Sequence, residues 1–426
     1  MVLIYAHTAS PRLTYICSFI FKELLHADHL ITNDITEFEN FDGVKINYSQ
    51  TTSIELLFED DIKPQMVKCF TVNGYKAFFK TEYSFFPFDI FAASFYLLSR
   101  YEEYLPHTKD MYGRYAHENS LAFKEGFSDQ PLINVWINDF ALQLQKLFPF
   151  FTFYHSPFTF IPTYDIDIAY SYKHKGFLRT LGGAFQSLFQ FKWKALVNRK
   201  LTILGLKKDP FDSFEWMDAL HKKYSLNPVC FFLLAEKNGQ YDKNILPSTS
   251  AMKRLIKSSA EKYSIGIHPS WQSGDDKSLL KEEIGYLKEV SGKSITTSRQ
   301  HYIRFNLPEG YRQLIDADII DDHSMGYGSI NGFRASVASS FYWYDLKKEE
   351  QTSLRIHPFC YMEATSFYRQ KLSAAEALEE MIHYYNGCKE VNGTFISIWH
   401  NHFLGNDPLY KGWKETYNKF LEAISV

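Results

Sequence analysis

Apolar positions along the chain change rhythm near residue 157, and the two stretches predict different architectures. Before it, Val2–Tyr5, Lys45–Tyr48, Ile54–Phe58, Met66–Val72 and Ala77–Phe79 read as short strands, and Pro11–Leu25 as an amphipathic helix. Asp89–Leu105 predicts a second helix, apolar at Phe91, Phe95, Leu98 and Tyr101 and charged at its far end. Together these elements predict a smaller α/β N-terminal domain over residues 1–155. Glu102, Glu103, His107 and His117 are spaced too loosely for a ligand set and read as a solvated surface, so no chemistry is assigned to this domain.

After Pro157, apolar strand-like runs alternate with helical patterns. The runs are Thr159–Tyr164, Pro228–Leu234, Ser264–His268, Ser294–Ser298, Ala317–Asp321, Gly332–Ala335, Leu354–Pro358 and Thr394–Trp399. The clearest helix is Ser373–Asn386, which opens on a Ser373/Glu376 capping box and is expected to stop at Asn386-Gly387. Strand–helix alternation predicts a parallel sheet or a βα barrel over residues 156–426. The carboxyl ends of such strands converge on one face, where chemistry is usually placed.

Composition narrows the functional classes. The 426 residues exceed one ordinary core, so two domains are expected. A net charge of −3 argues against a nucleic-acid binder. Aromatics reach 17%, which fits either an aromatic core or stacking platforms for sugar rings. Five scattered cysteines without a CxxC pair, no secretory leader and no membrane-length apolar run lead us to expect a cytoplasmic protein.

Several strand ends carry chemically versatile residues. Asp165 and Asp167 follow the first strand, a spacing that lets one carboxylate bind a metal while the other serves as a base. His268 ends the third strand beside Pro269, and imidazole is the commonest divalent-metal ligand. Arg299, His301 and Tyr302 follow the fourth, where an arginine fork could hold a carboxylate ionised. Asp322 and then Arg334 follow the next two, and His400 closes the apolar run Ile396–Trp399, placed to donate a proton. Each feature alone has a structural reading, as a cap, a turn or a core histidine.

In this order, the motifs resemble those of the polysaccharide deacetylase (NodB-homology) family, the family-four carbohydrate esterases, over about residues 156–405. The resemblance implies a distorted (β/α) barrel and a hydrolase that removes N- or O-linked acetyl groups from a glycan. It implies Asp165 as catalytic base, Asp167 and His268 as ligands of a divalent metal, most plausibly zinc, and Arg299 as the group that steadies the base. Tyr302 would lend a backbone N–H to the oxyanion hole, His400 would be the catalytic acid, and Asp322 the acidic residue that tunes it. One departure stands out: the second histidine of the metal motif falls at Gln272, a poor zinc ligand, and His301 is the residue that could replace it. Two other functions stay open: a glycan-binding or scaffolding protein on a decayed deacetylase barrel, and a cyclic-amide hydrolase.

The segment 173–208 has a character of its own. No acidic residue lies between Asp167 and Asp209, whereas nine Lys or Arg, among them Lys192, alternate with large apolar side chains such as Phe185, Phe189 and Trp193. A basic amphipathic helical pair suits an anionic membrane surface and hence a lipid-linked glycan. The other reading is an insertion packed on the barrel with its basic face in water.

Overall fold

The structure, a computed structural model, describes every residue except 50–54, 83, 84, 155, 190, 192 and 426. Its N-terminal part holds a parallel three-stranded sheet, β1 (Val2–Tyr5), β2 (His29–Thr32) and β3 (Val44–Asn47), in the order β2-β1-β3. A short antiparallel ribbon, β4 (Phe70–Val72) with β5 (Tyr75–Ala77), follows. The predicted first helix spans α-helix Pro11–Cys17 and continues as a π-helical stretch, Ser18–Leu24. Glu55–Leu57, expected within a strand, forms a 3-10 turn, and Ile54 lies outside the described residues.

The larger part is built on β6 (Thr159–Ile166), β7 (Val229–Leu233), β8 (Ser264–His268), β9 (Thr297–Ser298), β10 (Asp321–Asp322), β11 (Phe341–Asp345), β12 (Glu350–Ile356), β13 (Tyr361–Met362) and β14 (Thr394–His400). They form one sheet in the order β11-β12-β10-β9-β8-β7-β6-β14-β13, parallel throughout except for the β11–β12 hairpin. The order ends on β11 and β13, with no pairing between these two edges among the described residues. Central strands such as β14 are buried along almost their whole length, as expected of a parallel sheet covered on both faces.

Two sequence expectations fail here for packing reasons. Gly332–Ala335 is a turn rather than a strand, with Gly332 at φ +141° beside the Ser128 carbonyl and Arg334 turned inward. The helix expected to stop at Asn386-Gly387 runs on to Glu390, because Cys388 on its next turn is fully buried and holds it against the core.

The charges at the end of the second predicted helix are not solvated. That helix spans Ile90–Leu98, capped by Asp89, and a 3-10 turn, Tyr101–Tyr104, carries Glu102 and Glu103 into the interior. Glu103 accepts from Arg100 Nε at 2.8 Å and from Arg334 Nε and Nη2 at 2.8 and 2.6 Å. The last two bonds span 231 residues and tie the N-terminal part to the sheet. Arg12 pairs with Glu349 at 2.6 Å, Tyr15 packs on Tyr344 at 4.9 Å, and buried apolar side chains of both parts form one cluster.

Burial raises the Glu103 carboxyl, but Arg334 and Arg100 outweigh it and bring its pKa down to about 2. Its contribution to stability is therefore fully present above the unfolded carboxyl range and lost as pH falls toward 2. Glu103→Ala, which leaves the buried Arg334 guanidinium without its anion and Arg100 with only Glu102, is expected to cost about 3–5 kcal/mol in chemical denaturation. Both parts should lose structure in a single transition.

Candidate metal centre and active site

Parallel strands send their carboxyl ends to one edge of a sheet, where ligand sites of α/β proteins collect. β6 delivers Asp165 and, past its end, Asp167; β8 delivers His268, and β14 delivers His400. Asp165 and His400 are direct register partners. Close packing of β8 against its neighbours needs Gly266: a Cβ there would come within 2.7 Å of the Phe231 ring and 2.8 Å of the Thr297 carbonyl. The same ring lies 4.4 Å from the Arg299 guanidinium, so the glycine indirectly seats that arginine.

Three imidazoles meet the carboxylate of Asp167. His268 Nε2 stands 3.1 Å from Oδ1, while His301 Nε2 and His400 Nε2 stand 3.4 and 3.3 Å from Oδ2. Each ring is aimed by an acceptor behind it. His268 Nδ1 donates to the Arg299 carbonyl, His301 Nδ1 to Asp242 Oδ1 at 3.0 Å, and His400 Nδ1 to Glu363 Oε1 at 2.8 Å. An acceptor at Nδ1 holds a proton there and turns Nε2 inward, the orientation of metal-ligating histidines.

The donor set fits a divalent cation. One ligand atom each from Asp167, His268 and His301 lies within 4.8 Å of the others. Asp167 Oδ1 is buried yet has no hydrogen bond, so it and His268 Nε2 meet as two lone-pair donors around a common centre. Two imidazoles and a carboxylate with an open side suit a catalytic zinc site. Gln272 is turned away, its amide reaching Asp242 and the Lys237 carbonyl at 3.4 Å.

On the other flank, Arg299 Nη1 donates to Asp165 Oδ1 at 2.9 Å and to Thr163 Oγ1 at 2.7 Å, and its Nε to the His323 carbonyl at 3.0 Å. Asp165 is thus held as an oriented carboxylate beside, and not within, the ligand cluster. Glu363, at the start of helix Glu363–Tyr368 just past β13, accepts from both the backbone N–H and Nδ1 of His400. Burial works against protonation of His400, yet Glu363 and Asp167 carry its pKa well above the usual range. The expectation for Asp322 fails: it is tied to the Ser298 and Ser324 hydroxyls at 2.8 Å, knitting the ends of β9 and β10, and Glu363 occupies the position beside His400.

Tyr302 takes a left-handed conformation, φ +59° and ψ 12°, and Ile303 follows at φ +55°. For a β-branched residue that is strained backbone, of a kind concentrated at functional sites. The strain is held in place from the N-terminal part: Arg114 Nη1 donates to the Tyr302 carbonyl at 2.6 Å. Gly328 leaves room for that guanidinium, since a Cβ there would lie 2.1 Å from Arg114 Nη1. Tyr112 packs its ring 5.1 Å from that of Tyr302, and Trp271 stacks on Tyr241 at 3.9 Å. Tyr112, Arg114, Tyr241, Tyr302 and Gly328 wall a cleft of about 520 Å³ over the cluster, lined also by Lys243, Arg369 and His402. Sequence reasoning missed Asp242, Glu363, Tyr112 and Arg114.

A family profile described as "Family of unknown function (DUF7033)" matches residues 2–149. No curated protein matches the sequence. Among solved structures, the chain is similar to a polysaccharide deacetylase from Mycobacterium smegmatis, at 13% identity and TM-score 0.41, over 64% of this chain and 85% of that one. It is similar to a polysaccharide deacetylase from Bacillus cereus, at 11% identity and TM-score 0.32, over 62% and 88% of the two chains. A third is a mutant family-four carbohydrate esterase pseudoenzyme with restored activity, at 9% identity and TM-score 0.31, over 62% and 63%. Fold and site together define a mixed α/β protein with a His–Asp cluster of metal-ligand character at the carboxyl edge of a mostly parallel sheet.

Metal loading should carry a pH signature. Burial lowers the His301 pKa, but Asp167 and Asp242 outweigh it and raise it to about 9. Without a metal the ring is protonated at neutral pH, so a cation must displace that proton, and affinity should rise as pH climbs toward 9. Zinc titration calorimetry in buffers of different ionisation enthalpy should show proton release at neutral pH, and His301→Phe should abolish most of it.

Proposed function

We propose that the chain is a metal-dependent hydrolase that removes an acetyl group, from nitrogen or oxygen, of a glycan. The observation that carries this reading is the division of one cluster into three jobs. Asp167, His268 and His301 are aimed as ligands, Asp165 is clamped by Arg299 outside the ligand set, and His400 is held protonated by Glu363. A divalent metal bound by the first three would supply Lewis acidity to the acyl oxygen and to water.

Asp165, fixed in one orientation by Arg299 and Thr163, takes the proton of the attacking water. His400, a cation stabilised by Glu363, gives its proton to the leaving nitrogen or oxygen. The Tyr302 backbone, set in its left-handed turn by Arg114, stands at the cleft wall as the candidate hydrogen-bond donor to the developing oxyanion. The aromatic side chains of Tyr112, Tyr241 and Tyr302 on the cleft wall offer apolar surface to a sugar ring. In this reading the chain divides into residues 1–155 and 156–426, and the second part is a distorted (β/α) barrel of the deacetylase family.

Asp165→Asn and His400→Ala should each lower acetate release from acetylated oligosaccharides by about 10²–10⁴-fold in protein that remains folded by circular dichroism. Glu363→Gln removes the anion that favours the His400 cation, so the alkaline limb of the pH–rate profile should move to lower pH. Zinc bound in stoichiometric amount without acetate release from N- or O-acetylated oligomers would favour a glycan-binding role. Turnover of a cyclic amide instead would move the substrate class.

A further inference from the structure

We infer that the helical hairpin between Asp167 and Asp209 is a docking element for an anionic lipid surface. The hairpin comprises helices Phe177–Phe189 and Trp193–Ile203. Phe177, Phe185, Phe189, Phe191, Trp193 and Leu206 are each 57–79% exposed. Isolated apolar side chains on a surface need no explanation, but this many in one hairpin mark an interaction site. The reading of the segment as an insertion packed on the sheet accounts for none of them.

Charge selects the occupant. Lys194, Lys200 and Lys207 are exposed and have no carboxylate partner among the described residues, where the segment's only ion pair joins Lys208 to Glu215 at 2.8 Å. Lys192 and Gln190 lie outside the described residues. A second copy of the chain seated on this face would set cations against cations. Anionic headgroups with acyl chains beneath them complement both the lysines and the aromatic side chains. No helix among the described residues is long and apolar enough to cross a membrane, so the contact is interfacial.

The root of the hairpin fixes what docking would do. Asp209 accepts from the backbone N–H groups of Ser171, Tyr172 and Lys173 at 2.7–2.9 Å, closing both ends of the segment together. Arg179 donates to the carbonyls of Lys243 and Asn244 at 3.0 Å, and Lys243 lines the cleft. A bilayer on the hairpin would therefore lie beside the cleft mouth and favour a glycan carried on a lipid. That last consequence rests on the deacetylase reading, whereas the docking does not.

The test uses the full chain in flotation with vesicles of phosphatidylglycerol and phosphatidylcholine, or of phosphatidylcholine alone, at low and high salt. We expect binding to the anionic vesicles only, weakened by salt. Each cation near the surface contributes about fivefold, so Lys194→Glu with Lys200→Glu should weaken binding by more than about tenfold. Phe189→Ser with Trp193→Ser should abolish it. All variants should keep the melting transition and the acetate release from short soluble oligomers shown by the parent. A folded parent that never floats with anionic vesicles overturns the proposal. So does a concentration-dependent dimer in sedimentation that Phe189→Ser dissolves, since the hairpin would then be a self-interface. Docking without deacetylation of any glycan would instead remove the deacetylase reading and leave the docking surface intact.

Discussion

The convergence of three imidazole Nε2 atoms on the carboxylate of Asp167 is the constraint around which this molecule is arranged. Burying so much ionisable chemistry in one place is unfavourable unless each group is aimed and compensated. The compensation comes from behind the rings, through the Arg299 carbonyl, Asp242 and Glu363. Asp167 responds as a buried carboxylate ringed by histidines must. Burial pushes its pKa up, but His301, His268 and His400 hold it well below the usual carboxylate range. A dication in the same place would satisfy the same anion while releasing protons, so the metal-free and metal-loaded states share one electrostatic logic.

The cluster also explains why the N-terminal part is not a passenger. His301 hangs on a strained turn beyond a two-residue strand, a support too short to hold it alone. Arg114 grips the Tyr302 carbonyl, Asp110 grips Arg114 at 2.6 Å, and the Glu103–Arg334 pair anchors the same region to the sheet. A buried ionisable site of this kind costs stability, and the contacts from residues 100–114 offset part of it.

Much of this was legible in the chain itself. The apolar runs determined a mostly parallel sheet, because strands buried on both faces must be apolar almost throughout, as in Ile396-Ser397-Ile398-Trp399. Residues that follow such runs are forced to the carboxyl edge, so Asp165, Asp167, His268, Arg299, His301 and His400 could be expected together without knowing their distances. The basic and aromatic composition of 173–208 was equally plain, since an absence of acids over that length is a property of sequence alone, whereas the exposure of its aromatic side chains was not.

Tertiary structure decided the rest, and for one reason: pairings across long separations leave no local period. Glu363 reaches His400 from the helix start just past a two-residue strand that no pattern announces, and it takes the place expected for Asp322, whose carboxylate is consumed by Ser298 and Ser324. Asp242 lies in a loop 59 residues from the His301 it orients. Glu102 and Glu103 look solvent-facing by composition, yet Arg100 and Arg334 draw Glu103 inward, the latter from 231 residues away. Whether the strands close into a ring was also beyond the sequence. Closure depends on how far the edges β11 and β13 twist toward each other, which no run of residues encodes by itself.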